Sequence, residues 1–140
     1  MNGTDYITEI MTKDLVTLHV QDSLETAEKK FKKYKIRHIP VVEGSLIKGI
    51  ISYSDLLRIS YADAYDLKSD QIDKAIYELF SIEQLMANNP ICVQDDSTIY
   101  DVAQIFSEKE FHALPVLRNE ELVGIVTTTD LMKYLVDNCA

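Results

Sequence analysis

The sequence predicts a mixed α/β (α+β) fold: two pseudo-symmetric β-α-β-β-α repeats packed sheet to sheet, with an extra helix between them. Three observations predict it. Residues 10–57 and 85–132 align without a gap at a constant offset of 75, and eight of the 48 pairs are identical: Met11/Met86, Phe31/Phe106, Pro40/Pro115, Val41/Val116, Gly49/Gly124, Ile50/Ile125, Asp55/Asp130 and Leu56/Leu131. Apolar residues follow the same strand and helix periods in both copies. Turn and cap signals fall at matching places. A repeat of this length is short of core on its own, so the two copies are expected to pack together as one module of 1–140, leaving a cleft where small ligands tend to bind.

Each copy opens with a short strand, Val16–His19 or Ile91–Gln94. In the first copy Asp22-Ser23-Leu24-Glu25 follows, an acid with a Glu three residues later, which is capping-box spacing with Asp22 as N-cap. Leu24, Ala27 and Phe31 then make a helical stripe, matched by Ile99, Val102, Ala103 and Phe106. Two strands come next: His38–Glu43 and Leu46–Ser52 around Gly44-Ser45, then Ala113–Leu117 and Leu122–Thr127 around Arg118-Asn119-Glu120. Gly44 can take a positive φ at little cost. Pro40 and Pro115 cannot donate to a ladder, so each is expected at an edge or a strand start. A helix closes each copy, opening at Ser54-Asp55-Leu56-Leu57 or Thr129-Asp130-Leu131-Met132, with Leu131–Val136 continuing the last one.

Residues 58–84 have no repeat partner. They hold six acids, three bases and neither Gly nor Pro, which argues against a floppy linker. Ile72, Ala75, Ile76 and Leu79 predict a helix over 71–80, and Thr4–Met11 reads as another short one.

Composition bounds the function. Of 140 residues, 46% are apolar and 26% charged, as in ordinary globular domains. No apolar run is long enough to span a bilayer, and the N-terminus lacks signal-peptide character, so a cytoplasmic location is expected. Cys92 and Cys139 fit that compartment as thiols. They form no CxxC or Cys/His cluster, so no metal site is expected. The net charge of −9 argues against nucleic acid or an anionic membrane as the main partner. Lys29, Lys30, Lys32, Lys33, Lys35 and Arg37 form one basic run, which the second copy breaks with Ser107, Glu108 and Glu110. A solvated helix face accounts for it.

The pattern that carries chemistry is Gly49-Ile50-Ile51-Ser52-Tyr53-Ser54-Asp55, repeated as Gly124-Ile125-Val126-Thr127-Thr128-Thr129-Asp130. A buried strand ends in hydroxyls and turns into a helix led by an acid. The helix N-terminus suits a phosphate oxygen, and Ser52 or Thr127 can add a donor. An ionised Asp only accepts hydrogen bonds, so it suits two sugar hydroxyls. A duplicated cap explains the same residues, with Ser54 or Thr129 as N-cap and Asp at the first helical position. Arg37 and His112 each stand three residues before the proline, where a basic group can hold a phosphate by charge-assisted bonds; surface residues on a loop are the other reading.

Met11-Thr12 before a strand, Ile39-Pro40-Val41-Val42, and Gly-apolar-apolar-Ser/Thr-x-x-Asp, all in duplicate, resemble the cystathionine β-synthase (CBS) domain. Two in tandem resemble a Bateman module. The resemblance implies adenine-nucleotide sensing in two clefts. It implies ribose-holding roles for Asp55 and Asp130, and places Ser52 and Thr127 near ribose or phosphate, next to Ser54 and Thr129. It puts Thr17 and Cys92 in the base pocket and Arg37, His38 and His112 near phosphates. Ala113 replaces His38 and Cys92 replaces Thr17, so unequal sites are expected.

The leading reading is therefore a stand-alone regulatory module, pairing as a homodimer. It binds AMP, ADP, ATP or a related adenosyl compound, with magnesium able to accompany a di- or triphosphate. The alternative is an interaction module with vestigial clefts and an acidic docking segment for a protein partner. No catalytic role is expected: no Walker-type loop is present, and Asp95-Asp96 before Ser97 reads as capping.

Overall fold

The computed structural model describes residues 5–61 and 75–139. They divide into two compact units: one of residues 16–61 and 75–89, the other of 5–15 and 90–139. The first holds β1 (Leu18–His19), α1 (Leu24–Tyr34), β2 (His38–Glu43), β3 (Leu46–Ser52), α2 (Tyr53–Tyr61), a helical stretch at 75–79, α3 (Ile82–Leu85) and β4 (Ala87–Asn88). The second holds a 3-10 turn (Ile7–Glu9), β5 (Val93–Gln94), α4 (Ile99–Glu108), β6 (Ala113–Arg118), β7 (Glu121–Thr127) and α5 (Thr128–Asn138). The mixed α/β class and the duplicated element order match the expectation.

The sheets run β1-β2-β3-β4 and β5-β6-β7. β1 is parallel to β2, and β2 and β3 form an antiparallel hairpin with Ile39 opposite Ile51 and Pro40 opposite Ile50. The second unit repeats this with Leu114 opposite Val126 and Pro115 opposite Ile125, and both hairpins carry a bulge one or two residues after the proline. Each proline sits third in a strand with neighbours on both sides, rather than at an edge. It is tolerated because pairing with β1 or β5 begins only at Val41 or Val116. The turns differ: Gly44 has φ 64°, whereas Asn119 and Glu120 take φ 50° and 68° without glycine. Asn enters that region more readily than most residues.

Side chains alternate across a strand. Ile39, Val41 and Ile51 therefore share the sheet face that packs on Leu24, Ala27 and Phe31 of α1 and Leu56 of α2. The second core uses Leu114, Val116 and Val126 against Ile99, Val102 and Tyr134. Each fully buried Leu, Ile or Phe contributes roughly 1.5–3 kcal/mol. Phe31 is additionally stacked on Tyr53, ring centroids 5.4 Å apart.

Several elements differ from expectation. The opening strands pair only at Leu18–His19 and Val93–Gln94. Ser23, not Asp22, caps α1: its Oγ accepts from the Thr26 N–H at 3.1 Å, while Asp22 accepts from the His19 N–H at 2.8 Å and closes the preceding turn. The helix expected over Thr4–Met11 is a single 3-10 turn, with Thr4 outside the described residues. Of the helix expected at 71–80, residues 75–79 are helical and 71–74 lie outside the described residues.

The packed units also differ in extent from the sequence repeats. The Met11-Thr12 segment at the head of the first copy lies on the second copy's sheet, where Thr12 bridges Ile125. The corresponding Met86-Ala87 segment lies on the first copy's sheet, where Ala87 pairs with Ile50. The offset of 75 also relates Ile7 to Ile82, and both are fully buried. Gly49 and Gly124 are where these segments cross. A Cβ at Gly49 would stand 2.8 Å from the Ala87 carbonyl oxygen and 2.5 Å from the Met86 sulfur; at Gly124 the Thr12 oxygen is 3.1 Å and the Met11 sulfur 2.6 Å away. A thioether can move and a paired carbonyl cannot. Gly49→Ala should therefore cost about 1–3 kcal/mol, the range for overpacking, and Gly124→Ala less. Urea unfolding of both variants measures this; equal losses would refute the role of the carbonyl.

Candidate functional site

Because β1 runs with β2 and β3 returns against it, the starts of β1 and β2 and the end of β3 share one end of the sheet. Arg37, His38, Ser52, Ser54 and Asp55 gather there, with Thr17 immediately before β1. The backbone fixes the junction: the Tyr53 N–H donates to the Arg37 carbonyl at 2.8 Å, and the Thr128 N–H to the His112 carbonyl at 3.0 Å. The same topology gathers His112, Thr127, Thr129 and Asp130 in the second unit, with Cys92 before β5.

The hydroxyl and the acid of each motif hold one another. The Asp55 N–H donates to Ser52 Oγ at 3.1 Å, and the Ser52 N–H donates to Asp55 Oδ2 at 2.9 Å. In the second unit the Asp130 N–H donates to Thr127 Oγ1 at 3.2 Å, and the Thr127 N–H to Asp130 Oδ2 at 2.9 Å. These are reciprocal capping boxes. The cap thus lies at Ser52 and Thr127, not at Ser54 or Thr129, and the acids stand at the third helical position rather than the first. Ser54 and Thr129 are exposed in the first turn. A carboxylate offers about four acceptor sites, so capping through Oδ2 leaves Oδ1 for another donor. At Asp55 that oxygen lies 3.5 Å from Nη2 of Arg58, a largely exposed pair that stabilises little.

The remaining predicted residues have distinct surroundings. Arg37 and His112 are exposed, and His38 is half-buried. The Thr17 carbonyl accepts from Lys30 Nζ at 2.7 Å, which ties β1 to α1. Cys92 is half-buried, with Sγ donating to the Pro90 carbonyl at 3.4 Å, and burial pushes its pKa up. Among the described residues no three His, Cys, Asp or Glu side chains gather as a metal site, and no helix is long and apolar enough to cross a membrane.

Beside Asp55 lies an open depression of about 300 Å³ lined by Asp55, Arg58, Ile59, Phe80, Gln84 and Leu85. Only Asp55 was expected there. Arg58 had a signal, since it stands three residues after Asp55 on a helix; nothing in the sequence brings residues 80–85 back to that helix. The offset of 75 relates Ile59 to Tyr134 and Phe80 to Asp5. In the second unit these two bond directly, the Tyr134 hydroxyl donating to Asp5 Oδ2 at 2.7 Å.

Two outcomes follow for these junctions. Ser52→Ala and Thr127→Ala should each lower stability by about 1 kcal/mol through loss of the cap, read by chemical denaturation; no loss would remove the capping role. Cys92, with a raised pKa and partial burial, should react with iodoacetamide at pH 8 more slowly than exposed Cys139, and faster as pH rises. Peptide mapping of the alkylated protein reads the order, and the reverse order would contradict the burial of Cys92.

A family model described as CBS domain matches residues 7–62 and 82–137. The chain is 28% identical over 134 residues to a CBS domain-containing protein of Dictyostelium discoideum, spanning 93% of this chain and 90% of that one. A solved CBS domain pair in complex with 5′-methylthioadenosine and S-adenosyl-L-methionine has a TM-score of 0.79 and 25% identity, over 96% of this chain and 98% of that one. CBSX2 in complex with AMP has a TM-score of 0.80 at 21% identity, over 97% and 99%. In several longer relatives the chain spans a third of the length or less. Two family matches covering most of the sequence, on two units with one element order, show that the chain belongs to the CBS domain family as a tandem pair.

Proposed function

We propose that the chain is a cytoplasmic regulatory module that senses an adenosine-bearing ligand, acts without catalysis, and pairs as a homodimer. The observation that carries this is the duplicated junction: a capped helix start whose carboxylate commits Oδ2 to the cap and retains acceptor capacity at Oδ1, twice, at one offset. A carboxylate that only accepts matches a pair of ribose hydroxyls, which only need to donate. The relatives that hold AMP, or methylthioadenosine and S-adenosylmethionine, share this fold and support the ligand class.

Asp55 and Asp130 take the ribose, assisted by Ser52 and Thr127, with Ser54 and Thr129 exposed at the helix starts. Thr17 and Cys92 border the base. Arg37 and His38 face phosphates in the first unit, and His112 alone in the second, where Ala113 stands at the His38 position. The first site therefore suits AMP, ADP or ATP, with magnesium able to bridge a di- or triphosphate. The second suits ligands with less negative charge. Sensing requires that the ligand favour one arrangement of the protein over another, since equal affinity shifts nothing.

Thermal unfolding with AMP, ADP, ATP, NAD and S-adenosylmethionine, with and without magnesium, tests the ligand class. A ligand at 100 times its Kd stabilises by roughly 2.7 kcal/mol, a shift on the order of 10 °C for a chain this size. Asp55→Asn/Asp130→Asn keeps a cap acceptor and should abolish the shift. No shift with any ligand, in protein free of co-purified nucleotide, would turn the reading to an interaction module with empty clefts. Arg37→Ala should weaken ATP binding about tenfold and adenosine binding little, as expected for a lost charge-assisted bond of roughly 1.5–3 kcal/mol; equal losses would assign Arg37 to packing.

A further inference from the structure

The depression beside Asp55 is lined by one acid and one cation, and the cation stands against the acid's uncapped oxygen: Nη2 of Arg58 lies 3.5 Å from Oδ1 of Asp55. Gln84 adds donors. Its side-chain oxygen accepts from the Ser81 N–H at 2.9 Å, so the amide N–H groups are left to donate. Ile59, Phe80 and Leu85 give the depression apolar walls, and its volume is about 300 Å³. The cavity therefore offers a guanidinium and a carboxamide immediately beside the one carboxylate oxygen that the cap does not use.

The second unit has the opposite character at the matched positions. The offset of 75 puts Asp5 for Phe80, Glu9 for Gln84, Tyr134 for Ile59 and Lys133 for Arg58. The Tyr134 hydroxyl donates to Asp5 at 2.7 Å. Its phenol is held above the usual pKa first by that bond, then by burial and by the charges of Asp5 and Glu9, so both acids lie near it. Lys133 is exposed, and among the described residues the ion pairs include none from Lys133 to Asp130. Asp55 and Arg58 balance in the first unit; Asp130, Asp5 and Glu9 outnumber Lys133 in the second.

A ribose held on Oδ1 of Asp55 sets its hydroxyl edge against Arg58, because the guanidinium lies beside that same oxygen. A group carried on that edge then has Arg58, Gln84 and open volume next to it. We propose that the first unit prefers adenosine ligands bearing a phosphate monoester on the ribose 2′ or 3′ oxygen, with Asp55 holding the remaining hydroxyl and Arg58 and Gln84 holding the phosphate. A guanidinium matches phosphate oxygens in a two-pronged, charge-assisted contact, which an ammonium does not. A phosphate beside a bare carboxylate is repelled; Arg58 supplies the compensating charge, and the second unit's acids do not. The proposal rests on the adenosine reading given above and adds specificity at the ribose edge.

Titration calorimetry of the full chain with AMP, adenosine 2′,5′-bisphosphate and adenosine 3′,5′-bisphosphate tests it, alongside Arg58→Gln and Lys133→Gln checked for native circular dichroism. In the native chain one bisphosphate should bind at least about tenfold more tightly than AMP. Arg58→Gln should cut that preference to about twofold or less while moving the AMP Kd by no more than about threefold, and Lys133→Gln should preserve the preference. Raising salt from about 0.05 to about 0.5 M should narrow it in the native chain. AMP binding with no gain from the second phosphate overturns the ribose-edge specificity and leaves the adenosine reading standing. A preference that survives Arg58→Gln, or an equal loss of AMP and bisphosphate, overturns the role of Arg58. A native chain that binds none of the three overturns both readings.

Discussion

The exchange of hydrogen bonds between a hydroxyl residue and an acid at the end of β3 and of β7 is the constraint on which the candidate sites depend. It satisfies backbone donors that a helix start leaves unpaired. It sets the residue at which the strand becomes helix, and so brings the first helical N–H onto the carbonyl of Arg37 or His112. It also fixes one carboxylate oxygen and thereby the direction of the other. The residues assigned to ligand are gathered by strand order and this bond together, not by a loop free to rearrange.

The same bond means that cap and site are not alternatives. A helix cap alone accounts for Ser52, Thr127 and one oxygen of each acid. The proposed sugar-binding role draws on the second oxygen, and on the coincidence of both junctions with the basic residues before β2 and β6. Substitutions that delete the acid remove the cap along with the proposed ligand contact, which is why an isosteric amide separates them better than alanine.

Much of this was legible in the sequence. The hairpins β2–β3 and β6–β7 were, because alternating apolar residues and a turn leave few registers. Both core stripes on α1 and α4 were as well. The cap positions were not, since Asp22-Ser23 and Ser52-x-Ser54-Asp55 each offer two hydroxyls or acids within reach, and only backbone conformation decides between them. The exchange of Met11-Thr12 and Met86-Ala87 was invisible, because a strand's partner is not written in its own residues. The depression beside Asp55 was half legible: Arg58 follows from helical spacing, whereas Phe80, Gln84 and Leu85 arrive through tertiary packing. At the matching place in the second unit Tyr134 bonds Asp5, where the first unit has Ile59 and Phe80.

The exchanged leading segments set an order of events during synthesis. The unit of residues 16–89 draws on one continuous stretch of chain, so its sheet, including β4, can close once residue 89 has left the ribosome. The other unit needs residues 5–15, made before that stretch, and β7 and α5, made after it. Ile7 and Met11 must therefore wait, uncovered, through the synthesis of more than a hundred residues before Ile125 and Gly124 arrive to receive them. Contacts of such long sequence separation form slowly and leave apolar surface open to other chains meanwhile. The segment at 5–15 is thus made ahead of both sheets and is among the last to find its place.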